Sequence, residues 1–463
     1  MEEKKEFGLM GLTAVVVGSM IGGGIFNMPK EIAQTSSVGA AIIGWIISGI
    51  GVFFIAKTFQ ILSYETPDLT DGIYKYAKVG FGKYAGFNSA WGYWISNVIS
   101  NASYPVLIVQ TLDYFFPGIG GIRTFQGIIL GSSLIWVVTF IVMKGPNTTK
   151  ILNNLATIGK VVAIFMTIII IFYGFNDKIF FNDFWGKEFQ KTPVFDQVKG
   201  CMLQTLWAFV GVEGAVIISG RAKNEKQVGR ATMLGYFISL VLYVVIVIFS
   251  YSVIPDDKLA NLKDPALSYI VEAVIGPIGA TLVNIAVFIS VIGAWLTWTL
   301  LTAEIPYNVA VDKIFPAFLS TVNKKGTNVG AILTNGVLKQ IIFLISLAAG
   351  NAYLAITNAG TSMILVPYIF SSLFLLKISL ESENYNKKNA LYASLAVIYG
   401  IWMLYASGLN YLFQSTAIYS LGIIFFIMKS KEENQPIFTN KIELSCGILL
   451  TFFGAIAFYY IIK

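Results

Sequence analysis

The chain has 463 residues, 56% of them hydrophobic and only 12% charged, with a mean hydropathy of +0.71 and a formal net charge of +7. A soluble domain carries about 25% charged residues, so this composition reads as an all-α polytopic membrane protein in which no hydrophilic stretch is long enough for an ATP-hydrolysing or nucleic-acid-binding domain. Histidine is absent, and Cys201 and Cys446 match no metal or redox spacing, which argues against a metal centre, a cofactor and an intramembrane enzyme.

Apolar runs of spanning length fall near 9–35, 38–62, 84–116, 124–143, 148–174, 201–220, 231–254, 276–303, 329–349, 352–376, 389–407, 410–428 and 443–462. The last lies beyond a polar stretch, Lys429 to Lys441. The first has internal Gly and Pro and no small-residue cleavage site, and reads as a retained span rather than a signal peptide. With the N-terminus in the cytoplasm, the inside connections hold twenty-one Lys and Arg and the outside ones nine; Lys160 and Lys339 fall within spans. That bias predicts a cytoplasmic N-terminus.

The first span contains Gly18-Ser19-Met20-Ile21-Gly22-Gly23-Gly24-Ile25-Phe26. Glycine costs about 1 kcal/mol per helical position relative to alanine, so three in a row favour a break. Backbone groups freed at membrane depth persist only where they are buried in protein or line a cavity. The competing reading is close helix packing through the G-x-x-x-G pair Gly18 and Gly22. The sixth span repeats the pattern at Leu206-Trp207-Ala208-Phe209-Val210-Gly211-Val212-Glu213-Gly214. Five spans separate the two, so they have opposite membrane orientations. Gly-interrupted segments at matching positions of inverted halves point to the binding site of a secondary transporter, which tips the first motif toward a site.

Polar groups inside spans add candidates. A carboxylate at the depth of Glu213 costs about 2.5–3.5 kcal/mol, so it should face the bundle interior, as a cation site, a protonation switch or a structural hydrogen bond at the break. Lys160 is a candidate for proton coupling or for a fixed positive charge, weighed against snorkelling. Lys339, about eleven residues into its span, reads as packing or snorkelling. In the third span Tyr93, Asn97 and Asn101 recur every four residues and share one helical face; they suit either a solute's polar end or bonds between helices. Trp207 and Trp298 are candidate cation–π partners or interfacial residues.

These motifs, with Tyr93-Trp94 through Asp113-Tyr114-Phe115-Phe116-Pro117, Trp298-Thr299-Leu300-Leu301 and Val366-Pro367-Tyr368, resemble the amino acid–polyamine–organocation transporters, specifically the basic amino acid/polyamine antiporters. The runs Ser219-Gly220-Arg221-Ala222-Lys223 and Val228-Gly229-Arg230-Ala231-Thr232 look most like arginine/ornithine exchangers. The resemblance covers nearly the whole chain. It implies a five-plus-five inverted-repeat fold with broken first and sixth helices and 12–13 transmembrane helices, in one transporter domain. The repeats would span about 9–174 and 201–376, with further helices at about 389–462.

It also implies that the substrate α-carboxylate lies on N–H groups around Gly22, Gly23 and Gly24. The α-ammonium would take carbonyls near Met20, Ile21, Trp207 and Val210, and the cationic side chain would reach Asn97 and Asn101 between Trp207 and Trp298. Tyr93, Glu213 and Tyr368 match inner-gate positions, Glu213 the proton-sensing carboxylate, and Trp298 a residue that closes over the bound side chain. Three positions depart from the arginine/agmatine exchanger. Gly23 replaces a hydroxyl residue, Gly360 replaces a small polar one, and Lys160 has its counterpart in proton-coupled importers. The expected function is arginine/ornithine antiport in a bacterial cytoplasmic membrane. The alternatives are a proton-coupled importer, or lysine/cadaverine or agmatine/putrescine exchange. The expected partners are the lipid bilayer and a cationic amino acid or amine, with a homodimer compatible and nucleic acid excluded.

Overall fold

Hydrocarbon offers no hydrogen-bond partners, so each apolar run must close its backbone internally, as a helix. A computed structural model describes residues 7–69, 73–145, 150–217, 222–381 and 386–462; Ser219, Gly220 and Arg221 of the exchanger-like run lie outside the described residues. Among the described residues everything regular is helical, apart from one isolated bridge between Phe7 and Ala222.

The first span is two pieces, α1 (Leu9–Met20) and α2 (Met28–Ala33), separated by the glycines. α3 (Val38–Glu65) is the second span and α4 (Ile73–Phe81) a short amphipathic helix after it. The third span is divided into α5 (Lys83–Asn101) and α6 (Ser103–Phe115). α7 (Phe125–Met143) and α8 (Lys150–Tyr173) complete the first five, and α9 (Asp177–Asn182) lies in the following loop. The sixth span is again two pieces, α10 (Val194–Trp207) and the short α11 (Gly214–Ile217). α12 (Glu225–Ser250) follows, then the loop helices α13 (Asp256–Ala260) and α14 (Ala266–Ile275). The remaining spans are α15 (Pro277–Val311), α16 (Val329–Ser346), α17 (Ala352–Glu381), α18 (Lys387–Ala406), α19 (Gly408–Glu432) and α20 (Lys441–Ile462).

Among the described residues, nine of these helices are individually long and apolar enough to cross a membrane. The other four spans are the two broken ones, the divided third, and the fifth, whose apolar part is Gly159–Tyr173, so apart from the breaks each of the thirteen runs is helical over its described residues. α5 is too polar to qualify, yet nearly all of it from Tyr84 to Asn101 is buried, because α17 and α15 pack along it. α1 packs on α12, and α8 on α15. This places both broken spans inside the bundle, while apolar side chains such as Ile46, Phe165, Ile169, Val241 and Ile285 remain exposed to lipid. α20 packs against α19 and is the least buried span.

Candidate binding site

The two breaks touch. Ser19, at the end of α1, donates a 2.8 Å hydrogen bond from its hydroxyl to the Gly211 carbonyl in the sixth span. Gly211 has φ 103°, a left-handed conformation that favours glycine, and a Cβ there would lie 3.0 Å from Ser19. Close approach also explains Gly24: an added Cβ would sit 2.6 Å from the indole nitrogen of Trp207. Gly18, by contrast, has nothing within 4 Å of where its Cβ would be. Half of the G-x-x-x-G pair therefore has no neighbour that a side chain would displace, which weakens the packing reading of this motif.

After α1 the chain makes one tight bond, Gly22 N–H to the Met20 carbonyl (3.1 Å), then a 3-10 turn over Gly24–Phe26. The first N–H groups of such a turn have no partner within it. They border a contracted cavity of about 40 Å³ lined by Ser19, Met20, Gly22, Gly23, Gly24, Asn97, Ser100, Asn101, Ser103, Tyr104, Trp207, Val210, Tyr243 and Trp298. Only a few waters fit in such a space, so a ligand the size of an amino acid enters only if side chains move. Nine residues expected from sequence line it: Met20, Gly22, Gly23, Gly24, Asn97, Asn101, Trp207, Val210 and Trp298. Ile21 is buried beside it and is not part of the lining.

Asn101 is oriented by its surroundings. Its Nδ2 donates to the Asn97 carbonyl (2.9 Å) and to Thr302 Oγ1 of α15 (2.8 Å), which leaves its buried Oδ1 an acceptor without a partner. That is the group a guanidinium or ammonium would use. Asn97 Nδ2 is tied to the Tyr93 carbonyl at 2.8 Å. The Met20 carbonyl accepts from Tyr243 Oη (3.0 Å) as well as from Gly22.

Glu213, Tyr93 and Tyr368 are not among the residues lining the cavity; they form a hydrogen-bonded cluster of their own. The fully buried Glu213 carboxylate accepts from Tyr93 Oη (2.8 Å), Tyr368 Oη (2.6 Å) and the Gly211 N–H (3.2 Å), tying the third, sixth and tenth spans together. Lys160 stands apart, its ammonium donating to the Gly18 carbonyl at 3.3 Å near the C-terminal end of α1, where a helix favours a cation. Gly360 is a packing position: Ser96 Oγ donates to its carbonyl (2.7 Å), and a Cβ would meet Ser100 Oγ at 2.5 Å.

On the α2 side, a second cavity of about 670 Å³ is edged by a buried ion pair, Lys30 Nζ to Asp264 Oδ1 at 2.7 Å, with Gln110 Nε2 on the other carboxylate oxygen at 2.7 Å. Asn351 donates to both Glu31 oxygens at 3.1 and 3.2 Å. Sequence reasoning missed these contacts and the place of Ser19, Ser103 and Tyr243 in the central lining; Ser100 and Tyr104 it marked only as part of an unusually polar and aromatic third span.

Two broken helices meeting at a cavity within a bundle of membrane-spanning helices define a secondary transporter of the five-plus-five inverted-repeat class. The transporter MhsT, solved with L-phenylalanine, shares the fold at a TM-score of 0.59 and 14% identity, over 89% of this chain and all of that one. The amino acid permease family model matches residues 7–442, and the chain belongs to that family. It is 40% identical to the arginine/agmatine antiporter of Chlamydia pneumoniae over 473 residues, covering 98% of this chain and 96% of that protein. It is also 40% identical to the arginine/ornithine antiporter of Pseudomonas aeruginosa over 452 residues, covering 95% and 94%. The chain is thus a multi-pass membrane transporter and not an enzyme.

Proposed function

We propose that this transporter exchanges arginine for ornithine across a bacterial cytoplasmic membrane by alternating access, with its N-terminus in the cytoplasm and repeat units at about 9–174 and 201–376. The contact of the two breaks around one cavity carries the proposal. The substrate carboxylate is held chiefly by the backbone N–H groups of Gly23 and Gly24, at the start of a helical turn, since the Gly22 N–H already donates to Met20. Gly23 has no hydroxyl to add, so this grip is mainly backbone. The α-ammonium takes carbonyls at Ile21, Trp207 and Val210 more than at Met20, which already accepts two hydrogen bonds.

The cationic side chain runs past Trp207 and Trp298 to Asn97 and the free Oδ1 of Asn101. Trp298 then closes over it, and the Tyr93–Glu213–Tyr368 plug opens to the cytoplasm in the alternate state. Reconstituted vesicles should take up labelled arginine only when preloaded with arginine, ornithine or a related cation. The Lys160–Gly18 contact favours a second reading, a proton-coupled importer using Lys160 and Glu213. Equal uptake by empty vesicles under a proton gradient would establish it.

A further inference from the structure

Lys339 is not at an interface with water. It is 1% exposed in the middle of α16, its one hydrogen bond goes to Thr299 Oγ1 of α15 at 3.2 Å, and among the described residues no carboxylate lies within ion-pair distance of it. Thr299 is the chain neighbour of Trp298, which lines the central cavity. One turn along the same helix, Thr302 accepts the hydrogen bond from Asn101. Residues three apart on a helix are about 5–6 Å apart, so the ammonium stands roughly 10 Å from the side-chain end of the cavity.

Asn335, one turn from Lys339, accepts from Trp94 Nε1 of α5 at 2.7 Å, and its own Nδ2 has no partner. The wall behind the third span thus offers donors at this point, and among the described residues no carboxylate within ion-pair distance compensates the lysine. While the ammonium keeps its proton, its uncompensated charge acts on the net charge of whatever enters the cavity.

We propose that Lys339 is a charge filter, set behind the cavity, that favours cationic amino acids of net charge +1 over diamines, which bring two positive charges and no carboxylate. The proposal rests on the cationic amino acid reading above and deepens it, since agmatine and ornithine differ in this property. At roughly 10 Å and an effective dielectric near 20, one further unit of ligand charge is disfavoured on the order of tenfold.

The test is counter-flow of labelled arginine into arginine-loaded vesicles, with external ornithine or agmatine as competitor, for the wild-type protein and for Lys339→Arg, Lys339→Met and Lys339→Gln. Wild type and Lys339→Arg should be inhibited better by ornithine, by about tenfold. The two neutral variants should lose that preference through stronger competition by agmatine, a change that a purely structural lysine would not produce. An unchanged ratio in active neutral variants overturns the proposal. So does agmatine matching or exceeding ornithine on wild type, a result that needs no variant to fold. Absence of arginine exchange in wild type would instead refute the cationic amino acid reading.

Discussion

The first and sixth spans are both interrupted by glycine, yet their breaks are finished in opposite ways. At Gly22–Gly24 the chain carries no side chains, Trp207 lies against the backbone, and the cavity begins at the peptide groups themselves. At Gly211–Glu213 the break is filled by its own carboxylate, fully buried and accepting three hydrogen bonds. The first break leaves its hydrogen bonding to be completed by something else; the second has completed its own. On the proposed reading, the first break is the site because its freed groups are left unsatisfied, and the second a plug because its carboxylate is paired.

Removing the plug's acceptor should have the largest effect. Glu213→Ala leaves two buried phenols and an N–H without a partner, each at about 1–3 kcal/mol, and unties three spans. Arginine exchange should fall at least about a hundredfold, with a lowered apparent melting temperature in detergent. Near-normal exchange would mean the two breaks are not functionally distinct.

The first break is tested by its glycines. In Gly24→Ala the new methyl carbon would sit 2.6 Å from the Trp207 indole, displacing the turn or the ring. A shift of about 1 Å at a binding site can cost up to a hundredfold, so exchange should drop by tens of fold with little change in melting temperature. Gly18→Ala enters open space and should exchange like wild type. If Gly18→Ala were the more damaging, the G-x-x-x-G packing reading would be restored.

Much of this contrast was visible in the sequence, because hydropathy marks spans and consecutive glycines mark where a helix cannot continue. Glu213 announced itself as a charge at membrane depth, and the four-residue spacing of Tyr93, Asn97 and Asn101 put them on one face. Tyr104 stood out only as part of a polar, aromatic segment, and Ser19 and Tyr243 gave no such sign. A hydroxyl inside a span is ordinary, and what distinguishes Ser19 is a partner 192 residues away, chosen by the packing of the halves. For Lys339, position along the span left packing and snorkelling open, and only the neighbouring helices show that its ammonium stays inside.

Lys160 braces the near side of the first break through the Gly18 carbonyl. Lys160→Met removes one hydrogen bond to a charged donor, worth about 1.5–3 kcal/mol, and should slow exchange by roughly tenfold while leaving it coupled to internal substrate. Proton-driven uptake by empty wild-type vesicles, lost in Lys160→Met, would move the protein to the importer class.

The smallest effect sharpens the difference between a carboxylate with partners and one without. Asp256, in the loop helix α13, is 8% exposed and its Oδ2 has no hydrogen-bond partner, unlike either oxygen of Glu213. Burial, with Asp183 and Asp257 nearby, pushes its carboxyl up to about 7. The folded protein therefore binds this proton more tightly than the unfolded chain does. The stability contributed by the protonated acid is complete below about pH 4, its ordinary range, and is lost as pH rises through about 7. The apparent melting temperature of the wild type should decline by a few degrees across that window and level off above it. Asp256→Asn, neutral throughout, should remove that decline and be the more stable protein at pH 8 with arginine exchange unchanged. An identical pH profile in the two proteins would show that the missing partner carries no cost.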